Sequence, residues 1–273
     1  MTNHYFETDF IKLHYYKFGT GVKNMLCFHG FGMHGKQFRV LEEKLGDQYT
    51  FWGFDLLFHK QTVLKDSSLA TIKKGITKKK LAEVISAFCA QEHISSFSVI
   101  GYSMGTHYAT GLVEEMPERI EEYIVAAPSS VNPGKITRFF GKNKVGNKIL
   151  EKLILSEKAA LNLLGLFKRL KLIDAVVRDI LFKEVNTPEL RFALYATFTC
   201  LRLFETDEDK LIHALNTYQI KSIFIFGKRD KNYLPTIGKA FFKKYTPSEI
   251  IILDENHEMI NQNFASRLAN SLL

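Results

Sequence analysis

The chain has 273 residues, of which 46% are hydrophobic and only six are proline. A chain of this length and composition can bury a substantial core, as one domain with an insertion or as two closely joined domains. No uncharged apolar run approaches the length of a membrane-spanning helix, so we expect none. The cysteines Cys27, Cys89 and Cys200 are far apart and odd in number, which favours buried free thiols. The first residues lack the pattern of a secretory signal, and we therefore expect a cytoplasmic protein.

The formal net charge is +8, and the positive charge is unevenly distributed. Residues 135–171 contain ten Lys or Arg residues and two glutamates, and the rest of the chain is close to neutral. A local basic segment differs from the broad basic surface that nucleic acid requires, and no zinc-finger, RNP or Walker spacing occurs. We expect no nucleic-acid partner.

Strands and helices alternate along most of the chain. Alternating apolar residues at 3–9 and 11–18 predict an antiparallel hairpin at a sheet edge. Apolar runs predict further strands, in chain order, at residues 24–28, 49–54, 97–100, 119–127, 221–226 and 249–253. Apolar residues at helical spacing predict helices between them, at residues 38–45, 78–91, 104–113, 192–203 and 259–272.

The predicted helices differ in how well their first residues stabilise the helix amino terminus. Thr187 before Pro188, and Asp207 before two acidic residues, are typical of amino-terminal caps. The helix over 78–91 instead opens with three lysines, whose charge opposes the helix dipole. We therefore expect that helix to begin a few residues after Lys78.

From about residue 132 to residue 203 the alternation stops and only helical runs remain. The alternation elsewhere predicts an α/β fold, with a mainly parallel sheet of about eight strands, helices on both faces and active residues at the carboxyl ends of strands. We predict a core domain of residues 1–131 and 216–273, with an all-helical cap of residues 132–215 inserted into it.

One stretch joins a predicted strand directly to a predicted helix. Residues 101–105 read Gly-Tyr-Ser-Met-Gly, which leaves no room for a loop. A strand turns so sharply into a helix only where bulk is missing, as at Gly101 and Gly105, and Ser103 is then forced to the tip. The helix amino terminus and the backbone N–H of Met104 favour negative charge beside that hydroxyl. The stretch is typical of a nucleophile elbow, although an idle serine in a tight turn would give the same letters.

A serine nucleophile needs a general base and a carboxylate that orients the base. Asp230 follows one predicted strand, and His257 follows the next. The chain order Ser103, Asp230, His257 is that of elbow-type enzymes. Asp254 is an alternative orienting carboxylate, but its position on the same loop constrains its reach.

The remaining histidines have other expected roles. We expect His29 to anchor its loop, His107 to approach the site or to pack, and His34 and His59 to lie at the pocket rim or surface. No His, Asp or Glu pair has a metal-ligand spacing such as His-x-x-x-His, so we expect no metal.

These features together resemble the α/β-hydrolase superfamily, in particular its small cap-bearing esterases, lipases and acyl-transfer enzymes. The resemblance covers essentially the whole chain outside the insertion. It rests on residues 29–32 (His-Gly-Phe-Gly), 101–105, 227–230 (Gly-Lys-Arg-Asp) and 256–257 (Asn-His). The superfamily implies the α/β-hydrolase fold, with the insertion as a cap that covers the pocket.

The resemblance also implies a role for each site residue. Ser103 would attack an acyl carbon, His257 would transfer the proton, and Asp230 would hold the imidazole. The backbone N–H groups of Phe31 and Met104 would form the oxyanion hole. The residues expected to contact substrate or hold the loop around it are His29, Gly30, Gly32, Met33 and Tyr102.

The expected activity is cleavage of a carboxylic ester, with thioesters and lipid esters as variants, on a small-molecule acyl substrate and without a cofactor. Haloalkane dehalogenases and epoxide hydrolases of this fold carry aspartate where Ser103 stands, which argues against those reactions. The alternatives are acyl transfer to an acceptor other than water, or binding of a small ligand without hydrolysis. The sequence makes no prediction of the oligomeric state.

The basic segment supports two interpretations. Apolar residues such as Ile149 and Leu153 alternate with Lys148 and Lys152 at helical spacing. An ordinary cap helix with a solvated basic face would have this pattern. A cap that contacts anionic lipid at the membrane surface would have it too.

Overall fold

The computed structural model describes residues 4–134, 138–154, 156–170, 179, 182–183 and 185–273. Its strands form one nine-stranded sheet. Their bounds are β1 His4–Glu7, β2 Ile11–Phe18, β3 Lys23–Phe28, β4 Tyr49–Phe54, β5 Val63–Leu64, β6 Phe97–Tyr102, β7 Ile120–Ala126, β8 Lys221–Gly227 and β9 Glu249–Leu253.

The strand order confirms the predicted mainly parallel sheet. Eight strands follow the path β1-β2-β4-β3-β6-β7-β8-β9, and the two-residue β5 pairs with β2 beside it. Strand β2 runs antiparallel to β1, β4 and β5, whereas all pairs from β4 to β9 along the path are parallel. Parallel neighbours place their carboxyl ends at one edge, where the loops that carry the site begin.

Helices cover both faces of the sheet, as expected. The helices are α1 Glu42–Leu45, α2 Leu69–Lys74, α3 Lys78–Gln91, α4 Gly105–Glu115, α5 Lys144–Ile154, α6 Glu157–Arg169, α7 Pro188–Leu201, α8 Glu208–Thr217, α9 Lys239–Phe242 and α10 Gln262–Leu272. Helices α3, α4 and α8 contribute to one apolar core, and α1 and α10 contribute to the other. These five helices bury apolar side chains on the two faces of the sheet.

The expected late start of α3 is wrong, because the helix begins at Lys78. The hydroxyl of Thr77 accepts a hydrogen bond from the backbone N–H of Lys80, which caps the first turn. Two of the lysines also have acidic partners, since Lys78 contacts Glu114 and Lys80 lies 3.1 Å from Glu83. The cap and the ion pairs offset the unfavourable dipole interaction.

The described part of the predicted insertion is helical. Helix α5 packs against α6 and α7, and α7 packs against α2 of the core. Helix α8 lies partly within the predicted insertion yet packs against α4, with Leu211 and Leu215 in the core below the sheet. The division into core and cap domains stays a prediction.

Two further expectations have a structural outcome. Cys27, Cys89 and Cys200 are free and buried. Among the described residues, no helix is both long enough and apolar enough to cross a lipid bilayer.

Candidate active site

The turn between β6 and α4 has the geometry of a nucleophile elbow. Ser103 has φ of +48°, a conformation that costs a non-glycine residue energy and marks a strained position. A Cβ on Gly105 would lie 1.9 Å from the carbonyl oxygen of Phe28, and one on Gly101 would lie 2.7 Å from that of Gly105. Both neighbours must therefore be glycine for the turn to close.

Hydrogen bonds fix the backbone of Ser103 on both sides. Its N–H donates to the carbonyl of Ala126 at 2.8 Å. Its carbonyl accepts from the hydroxyls of Thr106 at 2.6 Å and Ser129 at 2.7 Å. Sequence reasoning missed Ser129, which follows β7 and reaches the elbow only because β6 and β7 are adjacent.

Ser103, His257 and Asp230 lie in one hydrogen-bonded line. The Ser103 hydroxyl lies 3.2 Å from His257 Nε2, and His257 Nδ1 donates to Asp230 Oδ2 at 2.7 Å. Asp230 is fully buried, and only 9% of Ser103 and 8% of His257 are exposed. The carboxylate fixes the imidazole tautomer, so Nε2 faces the hydroxyl with its lone pair.

The second oxygen of Asp230 is also occupied. Asp230 Oδ1 accepts from the backbone N–H groups of Asn232 at 2.8 Å and Tyr233 at 3.0 Å. Two amide donors and one imidazole donor together satisfy both oxygens of the buried carboxylate.

Two tyrosines flank the imidazole of His257. The ring centroids of Tyr102 and Tyr233 lie 5.4 Å and 5.5 Å from that of His257. The Tyr102 hydroxyl donates to the carbonyl of His257 and is buried. Tyr102 therefore supports the histidine loop, and its expected substrate contact stays a prediction.

Asp254, the alternative orienting carboxylate, lies away from the imidazole. Its side chain is 78% exposed and forms an ion pair with Arg229 at 3.3 Å. Asp230 is thus the carboxylate that contacts His257.

The loop after β3 is held from three directions. Backbone N–H groups at its two ends donate to side chains, Gly30 to Gln37 Oε1 at 3.0 Å and Gly35 to Asp55 Oδ1 at 2.8 Å. His29 is the first residue after β3. Its Nδ1 donates to the carbonyl of Gly30 at 2.6 Å, and its Nε2 accepts from the Leu56 N–H at 3.0 Å. His29 anchors the loop, as expected.

A buried pair behind this loop was absent from the sequence reasoning. His14 Nδ1 donates to Asp55 Oδ2 at 2.7 Å, and both side chains are fully buried. His14 lies on β2 and Asp55 follows β4, so only the antiparallel pairing of these strands brings them together. The one sequence signal for this pair was His14 itself, a histidine in the middle of the alternating strand β2.

The expectation that His59 lies at the rim or surface is wrong. His59 is only 5% exposed, and its ring packs against those of His29 and Phe31. Burial lowers its pKa to about 4, and burial together with His59 lowers the pKa of His29 well below the usual value. Both imidazoles are therefore neutral at pH 7. His34 is exposed.

Two backbone N–H groups, one in the elbow and one in the adjacent loop, make no hydrogen bond to the described residues. Within the described part of the chain, no group accepts a hydrogen bond from the N–H of Phe31 or Met104. Met104 precedes the first turn of α4, where N–H groups have no helical acceptor. Gly32 has φ of +73°, which turns the loop back toward the site, and Met33 beside it is partly exposed.

Side chains of the predicted insertion pack against the loop after β3. Phe31 packs against Phe198 of α7, with ring centroids 6.2 Å apart, and joins an apolar cluster around Leu164 and Leu194 of the insertion. His107 turns away from the serine, and its Nδ1 lies 3.3 Å from the carbonyl of Phe204. Among the described residues, no three His, Cys, Asp or Glu side chains lie together in a metal-binding arrangement.

One curated relative aligns with slightly less than half of the chain. It is the dihydrolipoyllysine-residue acetyltransferase component of the acetoin cleaving system of Cupriavidus necator, 29% identical over 132 residues. The alignment spans 47% of this chain and 33% of the relative, so the chain covers about a third of that protein's length.

Two solved structures share the fold over almost the whole chain. A hydrolase from Pseudomonas aeruginosa PA01 has a TM-score of 0.70 and 17% identity, with 99% of this chain and 97% of that chain covered. A thermophilic esterase from Thermogutta terrifontis has a TM-score of 0.62 and 17% identity, with coverage of 96% and 92%. The family model of the alpha/beta hydrolase fold matches residues 23–149, which include β3, the loop after it and the elbow. Residues 23–149 of this chain therefore resemble the alpha/beta hydrolase family in sequence, and the chain shares the fold of these hydrolases over almost its whole length.

Proposed function

We propose that this protein is a serine hydrolase that cleaves a carboxylic ester through a covalent acyl intermediate on Ser103. The observation that carries the proposal is the buried hydrogen-bonded line from Ser103 through His257 to Asp230. A hydroxyl becomes nucleophilic at neutral pH only beside a base of this kind, and a serine in a mere turn needs neither partner.

The reaction has two halves. In the first, Ser103 Oγ attacks the acyl carbon while His257 Nε2 accepts its proton, and the same proton then passes to the departing alcohol. In the second, His257 takes a proton from water as the water oxygen attacks the acyl carbon. The bond from that carbon to Ser103 Oγ then breaks, the carboxylic acid leaves, and His257 returns the proton to Ser103. The Asp230 carboxylate keeps the imidazole oriented and stabilises its positive charge throughout.

Negative charge develops on the acyl oxygen in both halves. We assign its stabilisation to the backbone N–H groups of Phe31 and Met104, which lack other acceptors among the described residues. One such donor contributes about 3–4 kcal/mol of transition-state stabilisation in related chemistry. The hydrogen bonds from Gly30 to Gln37 and from Gly35 to Asp55 hold the Phe31 loop before substrate binds.

The residues above the site favour an apolar acyl group. Phe31, Phe198 and Leu163 border the same partly buried apolar region between core and cap. The similar fold of a protein described as an esterase agrees with this substrate class. Epoxide and haloalkane hydrolysis in this fold proceed through an aspartate ester, and Ser103 cannot form one.

Acyl transfer is the second candidate. The curated relative is described as an acetyltransferase component, and the chain aligns with part of it. A transferase would form the same acyl intermediate on Ser103 but would release it to an alcohol, amine or thiol in place of water. Product analysis with such acceptors separates the two outcomes.

A fluorophosphonate probe tests the proposal directly. We expect it to label the wild-type protein on the peptide that contains Ser103, as detected by mass spectrometry. Ser103→Ala should abolish labelling and hydrolysis of p-nitrophenyl esters, whereas Ser266→Ala, at an exposed position on α10, should change neither. Labelling that persists in Ser103→Ala, or a wild-type protein inert toward esters from acetyl to palmitoyl, would contradict it.

A further inference from the structure

The outer face of α5 combines two rows of side chains. Lys144, Lys148 and Lys152 follow one another at four-residue spacing and so lie in one line along the helix. Val145 and Ile149 form an adjacent line at the same spacing. All five residues border one shallow surface groove.

The apolar row is left exposed by the part of the chain that the structure describes. Val145 is 65% exposed and Ile149 is 41% exposed, and Phe139 in the turn before α5 is 43% exposed. The opposite face of the helix is used for packing, since Gly146 and Leu150 are buried against the cap. A lysine row that only faces water does not require exposed branched apolar side chains beside it.

The lysine row also lacks counter-charges. None of the three lysines forms an ion pair or hydrogen bond with any residue in the described ranges. The neighbouring Glu151 is itself paired with Lys73 of α2 at 2.8 Å. Within the described residues, the row therefore presents three positive charges without counter-charges, next to exposed apolar surface.

We propose that this face of α5 binds the surface of an anionic lipid bilayer, with the helix lying in the plane of the interface. Lipid phosphates complement the lysines, and the boundary between headgroups and acyl chains accepts Val145 and Ile149. A nucleic acid or another soluble polyanion would use the charge alone. The charge outside the basic segment is close to balanced, which also disfavours a long phosphate track.

Flotation of the whole protein with vesicles tests the proposal. We expect binding to vesicles of phosphatidylcholine and phosphatidylglycerol in equal parts, weak binding to pure phosphatidylcholine, and loss of the difference at high salt. The triple variant Lys144→Glu/Lys148→Glu/Lys152→Glu should bind the anionic vesicles roughly a hundredfold more weakly. The matched variant Lys79→Glu/Lys239→Glu/Lys243→Glu makes the same charge change at exposed positions on α3 and α9 and should bind like wild type.

A second variant separates a bilayer from a soluble polyanion. Val145→Ser/Ile149→Ser keeps every charge, and we expect it to bind anionic vesicles about tenfold more weakly. Its retention by duplex DNA of mixed sequence should equal that of wild type. Circular dichroism and thermal melting establish that each variant is folded.

Three outcomes would overturn the proposal: equal binding to neutral and anionic vesicles, an equal loss in both lysine variants, or no effect of the serine substitutions. Ser103→Ala should bind vesicles like wild type. A failure of the lipid-binding proposal can therefore be distinguished from a failure of the proposed ester hydrolysis.

Discussion

Asp230 uses its two carboxylate oxygens for different partners. Oδ1 accepts two backbone N–H groups, and Oδ2 accepts the proton of His257 Nδ1. The first pair fixes the carboxylate in its loop, and the last bond fixes the imidazole. Because different oxygens accept these bonds, a substitution can remove the carboxylate charge and keep the bonds from the backbone N–H groups.

Asp230→Asn therefore tests the role of the carboxylate charge in orienting His257. The amide oxygen of asparagine can keep the backbone bonds, but its NH₂ would face Nδ1 and select the wrong imidazole tautomer. We expect kcat for ester hydrolysis to fall about 10⁴-fold with little change in melting temperature. Asp254→Asn, at the exposed neighbour of the same loop region, should leave kcat near wild type. A similar loss in both variants would show that the carboxylate at position 230 has no special role.

Glycine has opposite effects on stability at two helix positions. Gly105 opens α4 directly beneath β3, whereas Gly165 lies within α6 with no atom near the position of a Cβ. At Gly105 the absence of a side chain permits close contact of two backbones. At Gly165 it serves no contact and leaves the helix with the entropic penalty of glycine.

Substitution by alanine should consequently have opposite effects at these positions. Gly105→Ala places a methyl group 1.9 Å from a backbone oxygen, and we expect the free energy of unfolding to fall by more than about 3 kcal/mol. Gly165→Ala should raise it by roughly 0.5–1 kcal/mol. Urea denaturation measures both changes. A stable Gly105→Ala protein would contradict the close approach of α4 to β3.

For the molecule as a whole, the buried histidines couple folding to pH. The pKa of His59 is about 4 in the folded protein because of burial, against about 6.5 in an unfolded chain. Between these values the unfolded chain binds a proton that the folded protein does not. Stability is therefore full above about pH 6.5 and falls as the pH decreases toward 4.

His59→Asn tests this coupling. The asparagine amide can replace Nδ1 as the donor to the carbonyl of Leu57 but does not titrate. We expect wild type to lose roughly 3 kcal/mol through His59 between pH 7 and pH 4, and the variant to lack that part of the loss. Denaturation curves at several pH values give the slopes, and His213→Asn at an exposed site serves as the control. Parallel slopes for wild type and His59→Asn would contradict a buried neutral imidazole.

Local sequence patterns were sufficient to predict several features of the fold and of the site. Alternating apolar runs predicted the parallel sheet, and the paired glycines predicted the sharp turn at Ser103. Asp230 and His257 were found because each follows a buried strand, and parallel strands bring their carboxyl ends to one edge. The prediction for the start of α3 is wrong because it considered the three lysines and not the Thr77 cap, and because the contact between Lys78 and Glu114 joins two helices and leaves no local signal.

Other features depend on contacts between distant parts of the chain, and no local pattern predicts them. The pairing of β2 with β4 joins His14 to Asp55, and the pairing of β6 with β7 brings Ser129 to the elbow. His59 is buried because its ring packs on another loop, although its own neighbours suggest a surface turn. A sequence pattern reports which face of one element is apolar, whereas the position of a polar side chain within the site depends on which elements are adjacent.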